Sequence, residues 1–397
     1  MDLHESADLG EFRAQAREWL RRHVPAEPLP SLETAEGFAA HRAWEAELAA
    51  ARWSAVSWPE EYGGRGVDIF HWLAFEEEYW AAGAPGRVSQ NGINLLAPTL
   101  FDHADEEQRA RVLPSMATGE VVWAQAWSEP EAGSDLASLT SRAVRTEGGW
   151  LLWGQKTWSS RAAFADRAFG IFRTDPAAPK PHQGLTYLMF DLRAPGVTVR
   201  PIGRLDGKPA FAELFLDRVF VPDADVIGEP GQGWRIAMST TGNERGLMLR
   251  SPGRFLAAAD RLVRLWRERD GAGGPGEDTA LRERVADAVI GARAYQLFTA
   301  AGAARFAGGA GGTPARAEPR VGDIGAESSL NKVFWSEYDI ALHETALDLL
   351  GADGALADGE WAEGHVFSLA GPIYAGTNEI QRDIIAERLL GLPKGRR

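Results

Sequence analysis

Residues 371–382 read Gly371-Pro372-Ile373-Tyr374-Ala375-Gly376-Thr377-Asn378-Glu379-Ile380-Gln381-Arg382 and continue into Asp383-Ile384-Ile385-Ala386-Glu387-Arg388. Small and turn-forming residues fill the first half of this segment, which predicts a turn directly before a last helix. Three further blocks precede it in the chain: Ser57-Trp58-Pro59-Glu60-Glu61-Tyr62-Gly63-Gly64, Ser128-Glu129-Pro130-Glu131-Ala132-Gly133-Ser134-Asp135 and Gly154-Gln155-Lys156-Thr157-Trp158-Ser159-Ser160. Each block alone predicts only a turn or loop, but their joint occurrence is a specific signal.

Composition excludes several classes of protein. The chain has 397 residues with 45% hydrophobic content, which predicts two or three domains with sizeable cores. Its formal net charge of −14 argues against a nucleic-acid-binding surface and against a basic membrane-binding face. Cysteine is absent and the 8 histidines show no paired metal-ligand spacing, so no metal is expected. The start of the chain lacks an apolar signal core and no run reaches transmembrane length, so a cytoplasmic location is expected.

Hydrophobic spacing divides the chain into three parts. Apolar residues recur at helical spacing through the first third, beginning at Leu9. In the middle third the period changes to two, and Ala212, Leu214 and Leu216 predict a strand. Helical spacing returns after Gly233, interrupted by two glycine-rich loops. The predicted domains are an all-α domain (1–120), a β domain (121–230) and a helical bundle (231–397), with the loops at 271–276 and 308–322.

The four motif blocks resemble those of the acyl-CoA dehydrogenase family, and the resemblance covers nearly the whole chain. It implies an α+β fold with an N-terminal helical domain, a central β domain and a C-terminal four-helix bundle. It also implies FAD as cofactor and an acyl-CoA or acyl-carrier thioester as substrate. Electrons would leave to a separate acceptor such as an electron-transfer flavoprotein.

The chain departs from the family pattern at Ala375, where many members carry the catalytic glutamate. A methyl group cannot take a proton, although the backbone N–H of this residue can still polarise a thioester carbonyl. Some members instead place the glutamate on a helix directly before an arginine, and Glu244-Arg245 matches that arrangement. We therefore predict Glu244 as the general base. The other interpretation is a solvated helix residue paired with Arg245 or Arg250.

The resemblance assigns further residues to the cofactor and the substrate. The residues assigned to FAD are Gln125, Trp127, Ser128, Trp158, Ser160, Gly351, Thr377 and Glu379, and those assigned to the substrate are Ser134, Asn91, Arg245 and Tyr374. Gly351 could equally cap a helix, and Arg382 could equally be a structural ion-pair partner. The family's Arg-x-x-Phe-Gly segment, which contacts the flavin pyrophosphate, is missing, with Arg267 or Arg269 as substitutes.

Four functions remain open from the sequence. The first is α,β-dehydrogenation of an acyl-CoA to its trans-2-enoyl thioester. The second is a flavin oxidase or monooxygenase of the same fold. The third is a non-catalytic subunit of a heteromeric dehydrogenase, and the fourth is a dehydrogenase specific for an acyl carrier protein.

The family completes each cofactor site with a neighbouring subunit, which implies a homo-oligomer (dimer or tetramer) or a hetero-oligomer. The small Ala375 side chain predicts a branched or bulky acyl group.

Overall fold

A computed structural model describes residues 6–245, 251–269, 278–308, 326–356 and 359–395. The chain divides into two compact units, each assembled from separate segments of sequence. The helical unit comprises Met1–Ala26, Asp68–Ala84 and Arg245–Arg397, and the sheet unit comprises Glu27–Val67 and Pro85–Glu244.

The described residues of the helical unit form helices and no strand. Its elements are α1 (Ala7–His23), α3 (Ile69–Ala81), α7 (Pro252–Arg269), α8 (Thr279–Gly308), α9 (Glu327–Leu350), α10 (Glu360–Ser368) and α11 (Asn378–Ile384). Its core includes Phe255, Leu262, Tyr295, Trp335 and Leu342 from α7, α8 and α9. Gly253 permits the close approach of α7 to α3, because a Cβ there would lie 2.6 Å from the Glu76 carbonyl oxygen.

The sheet unit combines helices with one mixed sheet. Its helices are α2 (Ala35–Ala50), α4 (Ala97–His103), α5 (Glu106–Ala117) and α6 (Gly233–Arg245), whose last residue belongs to the helical unit. Its strands are β1 (Trp123–Ala126), β2 (Arg142–Thr146), β3 (Gly149–Ser160), β4 (Arg167–Arg173), β5 (Leu185–Asp191), β6 (Val197–Ile202), β7 (Phe211–Pro222) and β8 (Val226–Ile227).

The strands are ordered β6-β7-β3-β2-β4-β5-β8, and β1 pairs with β4 in parallel. Neighbours β3 and β7, β4 and β5, and β6 and β7 are antiparallel. The interior of β4 and nearly all of β5 are buried, and apolar residues predominate in both, as expected for strands covered on two faces.

The ladder between β3 and β7 contains two shifts of register, each caused by one extra residue. Leu152 pairs with Val219 and Trp153 pairs with Asp217, so Arg218 is the extra residue on β7. The second shift lies between Lys156 and Ser159 on β3. Arg218 and Trp158 both have positive φ, of 55° and 58°, which identifies them as the residues that bulge from their strands.

Side-chain caps fix where several helices begin. Ser6, Thr34, Asp68, Asp105 and Thr377 each accept a hydrogen bond from a backbone N–H of the helix that follows. These residue types satisfy the free N–H groups of a first helical turn, which explains the helix starts from the sequence.

The predicted fold class is confirmed: helical N- and C-terminal parts enclose a central stretch of strands in the chain. The boundaries at 120 and 230 stay a prediction, because the two compact units interleave segments from different parts of the sequence.

Both predicted glycine-rich loops fall mainly outside the described residues, as do residues 246–250. Pro252 begins α7, a position that suits a residue without an N–H. Within the described residues, no helix has the length and apolar character needed to cross a bilayer.

Candidate functional site

A buried ion pair organises the loop that follows β1. The Lys156 ammonium is fully buried and donates to the Glu129 carboxylate at 2.9 Å, to the Trp127 carbonyl at 3.1 Å and to the Ile171 carbonyl at 2.9 Å. All three of its N–H bonds are therefore satisfied. Next to it, the Thr157 N–H donates to the Ser128 carbonyl at 2.8 Å. The peptide groups on both sides of Ser128 are thus tied to the middle of β3.

The Glu129 carboxylate is the second centre of this network. It accepts hydrogen bonds from the Thr140 N–H at 2.6 Å, the Thr140 hydroxyl at 2.8 Å and the Ser141 N–H at 2.9 Å, in addition to Lys156. Burial raises the pKa of this carboxyl, but the Lys156 charge and the hydrogen bonds outweigh it and lower the pKa to about 2. Burial also lowers the pKa of Lys156, an effect that the Glu129 charge opposes.

Trp158 lies on β3, two residues after Lys156. Its side chain is 60% exposed, although large apolar side chains are usually buried, and its ring makes an edge-to-face contact with Phe211 (5.9 Å between ring centroids). The left-handed backbone of the bulge holds the ring out of the ladder. An exposed, well-anchored indole is a suitable platform for a planar ring.

The other predicted residues of the sheet unit lie on neighbouring elements. Gln125 is half-buried on β1, Ser128 is half-buried after it, Ser134 is exposed in the following loop, and Ser160 ends β3. Trp127 is buried with its ring 6.0 Å from that of Tyr187, and its indole N–H finds no hydrogen-bond acceptor among the described residues.

Asn91 opens a π-helical turn, Asn91–Leu96, that leads into α4. π-Helical turns are rare and occur frequently at functional sites. Leu95 and Leu96 in this turn are buried, and Asn91 is half-buried. The predicted pocket-lining role of Asn91 stays a prediction.

In the helical unit, the turn before α11 holds Ala375 in a left-handed conformation, with φ of 56°. Such a conformation is uncommon for a residue with a Cβ, and it costs about 1 kcal/mol or more in backbone strain. The Gln381 side-chain amide stabilises the turn by donating to the Ala375 carbonyl at 2.9 Å. None of the described residues accepts a hydrogen bond from the Ala375 N–H.

Asn378 locks the start of α11 onto α9. Its side-chain oxygen accepts from the buried Lys332 ammonium at 2.8 Å and from the Ser336 hydroxyl at 3.1 Å, and its amide donates to Glu337 at 3.2 Å. The Asn378 N–H donates to the Pro372 carbonyl, which closes the turn. Lys332 thus fixes the Ala375 turn through Asn378.

The remaining predicted residues of the helical unit cap a helix, contact other side chains or are exposed to solvent. Thr377 caps α11, and Tyr374 stacks on Trp335 at 5.8 Å. Glu379 is exposed, and hydrogen bonds from its own N–H and from the Thr377 hydroxyl lower its pKa. Arg382 forms an ion pair with Glu337, which supports its structural interpretation.

Gly351 is exposed at the C-cap of α9, with φ of 61°, so the helix-cap interpretation describes its geometry. Arg269, one of the two predicted substitutes for the missing arginine, forms an ion pair with Asp353 at 2.8 Å. Arg267 lies two residues earlier on α7.

The predicted base lies in the last turn of α6, which ends at Arg245. The side chains of Glu244 and Arg245 fall outside the described part of the structure, as does Arg250. Their assignment stays a prediction. No group of acidic or histidine side chains suited to a metal ion occurs among the described residues.

The sheet unit fits the flavin ring of FAD on two observations. Trp158 offers an exposed aromatic face, and Trp127 and Ser128 lie on a backbone that the buried ion pair holds fixed. Glu129 and Lys156 lie within two of the motif blocks, yet sequence reasoning assigned no role to either. The block that contains Glu129 also contains Glu131 and Asp135, so the sequence offers no signal that singles out Glu129 as the buried partner of Lys156.

Three domain models of one known family match this chain. The chain matches the acyl-CoA dehydrogenase N-terminal domain over residues 6–120, the middle domain over 124–219 and the C-terminal domain over 231–390. It is 39% identical over 402 residues to acyl-CoA dehydrogenase IpdE1 of Mycobacterium tuberculosis, a match that covers 98% of each chain.

Solved structures that resemble the whole chain include these two. One is the Tcur3481-Tcur3483 steroid ACAD, with a TM-score of 0.82 at 29% identity and 100% of both chains covered. The other is the ChsE4-ChsE5 complex from Mycobacterium tuberculosis, with a TM-score of 0.83 at 28% identity and 100% of both chains covered.

Proposed function

Because this chain belongs to the acyl-CoA dehydrogenase family and is therefore an FAD-binding oxidoreductase, we propose that it desaturates an acyl-CoA thioester to the trans-2-enoyl thioester, with Glu244 as the base. The observation that carries the proposal is the Ala375 turn: a backbone donor is held in place there, while the side chain is a methyl group. A dehydrogenase with this turn needs its base elsewhere, and Glu244-Arg245 is the sequence match for the alternative position.

The chemistry has two requirements that the residues can meet. The α-proton of a thioester is weakly acidic, so the enolate-like charge on the carbonyl oxygen needs a donor, and the Ala375 N–H is the proposed one. Glu244 takes the α-proton as a general base. Bound FAD supplies the hydride acceptor for Cβ. The left-handed backbone held by Gln381 fixes the direction of the Ala375 N–H before substrate arrives.

The proposed acyl group is bulky and carries rings. Alanine at position 375 leaves more room than a glutamate side chain would, and a structural relative at 29% identity is named a steroid ACAD. We also propose that the functional assembly contains a second chain of the same family, since one structural relative is a ChsE4-ChsE5 complex and another is named Tcur3481-Tcur3483. An electron-transfer flavoprotein is the proposed electron acceptor.

Anaerobic mixing of the FAD-loaded protein with a panel of acyl-CoA thioesters tests the proposal. We expect ring-bearing thioesters to bleach the flavin absorbance faster than linear ones of equal carbon number. Glu244→Gln should keep FAD and ligand binding while flavin reduction slows by about two to four orders of magnitude. Glu229→Gln is the matched control, because Glu229 is exposed just before α6.

Near-normal reduction by Glu244→Gln would refute the assigned base. Preference for linear acyl chains would refute the bulky substrate. Reduction by amines or nitroalkanes only would return the oxidase interpretation to first place. A chain that binds no FAD alone or with a partner would support the non-catalytic subunit.

A further inference from the structure

Three buried hydroxyl groups meet inside the sheet unit, outside the residues assigned so far. The Thr240 hydroxyl on α6 lies 2.7 Å from the Thr99 hydroxyl on α4 and 3.3 Å from the Tyr187 hydroxyl on β5. All three side chains are completely buried. Buried hydroxyls without partners are costly, so a cluster of three needs a consistent pattern of donors and acceptors.

One pattern satisfies every proton. Tyr187 donates to Thr240, Thr240 donates to Thr99, and Thr99 donates to the Leu95 carbonyl at 2.8 Å. The Thr240 hydroxyl also lies 3.1 Å from the Ile236 carbonyl of its own helix, which offers its proton an alternative acceptor. The chain of hydroxyls runs from β5 across α6 and α4 to the π-helical turn.

Each end of this chain contacts an element assigned to the site. The Tyr187 ring meets Trp127, which follows β1 and is assigned to FAD. The Leu95 carbonyl belongs to the π-helical turn that begins at Asn91, which is assigned to the acyl pocket. Thr240 lies in the middle, on the helix whose last turn contains Glu244.

Thr240 precedes Glu244 by four residues, which is about one turn of an α-helix. A residue at this spacing fixes the rotation of the helix at the level of the next turn. We infer that Thr240 is a positioning residue for the proposed base: its two hydroxyl partners set the rotation and height of the end of α6. This inference rests on the proposed function of Glu244.

Thr240→Val tests it, because valine has nearly the shape of threonine and lacks the hydroxyl. Thr241→Val is the matched control, since the more exposed Thr241 hydroxyl donates to the Met238 carbonyl of its own helix and to no other described residue. We expect Thr240→Val to slow anaerobic flavin reduction about 10- to 100-fold, the effect of misplacing a reacting group by about 1 Å. The substrate dissociation constant and the FAD dissociation constant should stay within about twofold of the parent protein. Thr240→Ser should restore most of the rate.

A purely structural role would lower the thermal midpoint of Thr240→Val without slowing reduction beyond Thr241→Val, and that result overturns the inference. Thr99→Val removes the shorter of the two contacts from the other side and repeats the test if Thr240→Val does not fold. Failure of the proposed function has a different signature, because Glu244→Gln would then reduce flavin at a near-normal rate. If Glu244→Gln is slow and both valine variants are fast, only the positioning role is refuted.

Discussion

Replacing Glu129 by glutamine should weaken the sheet unit in a way that depends on pH. The folded structure lowers the pKa of this carboxyl from 4.5 to about 2. A shift of this size corresponds to roughly 3 kcal/mol of stability at about 1.4 kcal/mol per pKa unit. The side chain is only 5% exposed, so solvent screening removes little of this amount, but the lowered pKa of Lys156 shows that burying the ammonium offsets part of it.

The sign of the dependence follows from the lowered pKa. Above pH 4.5 the carboxyl is ionised in both the folded and the unfolded chain, and its full contribution to folding is present. As the pH falls from about 4.5 toward 2, the unfolded chain binds a proton first and the contribution is lost. The Glu129→Gln variant lacks this group, so the stability difference between the two proteins should be largest near neutral pH and shrink in acid.

Urea unfolding followed by tryptophan fluorescence at pH 7, 5, 4 and 3 measures this difference. Asp223→Asn is the control, because Asp223 pairs with Arg145 on the surface of the same sheet and exposed pairs contribute about 1 kcal/mol or less. Lys156→Met should lower the free energy of unfolding more than the double variant Glu129→Gln/Lys156→Met does, since the single change leaves a buried carboxylate without its cation. A Glu129→Gln penalty that stays constant from pH 7 to pH 3 would refute this account of the ion pair.

Three further predictions concern the two units separately. Trp158→Ala should raise the FAD dissociation constant about tenfold, the value of one aromatic stacking contact, in a fluorescence titration of the apoprotein; an unchanged constant would remove Trp158 from the site. Asn378→Leu should lower the stability of the helical unit by about 1 to 3 kcal/mol in thermal unfolding, because it removes an oxygen that accepts hydrogen bonds from the buried Lys332 ammonium and the Ser336 hydroxyl, and a loss below about 0.5 kcal/mol would argue against that role. Ala375→Val should cost roughly 1 to 3 kcal/mol because a β-branched residue resists positive φ, whereas an unchanged melting midpoint would mean that the turn relaxes easily.

The sequence was most informative where one local rule determines the structure. Alternation at Ala212, Leu214 and Leu216 predicted β7, and all three side chains are buried in the core. The small residues from Gly371 to Gly376 predicted the turn before α11, and Thr377 caps that helix. Such features depend on neighbours in the sequence, so they can be predicted without knowledge of the fold.

Features that join distant segments were not predictable in the same way. Lys156 and Glu129 are separated by 27 residues, and only the folded sheet brings their charges together in the interior. Thr99 and Thr240 are separated by 141 residues, and neither threonine differs in sequence from an ordinary helical residue. Long-range polar contacts of this kind require the strand order, which hydrophobic periodicity does not provide.

The two bulges determine where this sheet can change its length. On β7 the buried side chains belong to even-numbered residues up to Leu216 and to odd-numbered residues from Val219. The extra residue Arg218 makes this switch possible. On β3 the same switch occurs between Lys156 and Ser159, with Trp158 as the bulging residue. Deleting a residue elsewhere in either strand would turn the apolar side chains beyond it outward, whereas deleting Arg218 would only make the ladder regular. Single-residue gaps between this chain and its relatives should therefore fall at these two positions, and a gap at Trp158 would remove the side chain that we propose for the flavin ring.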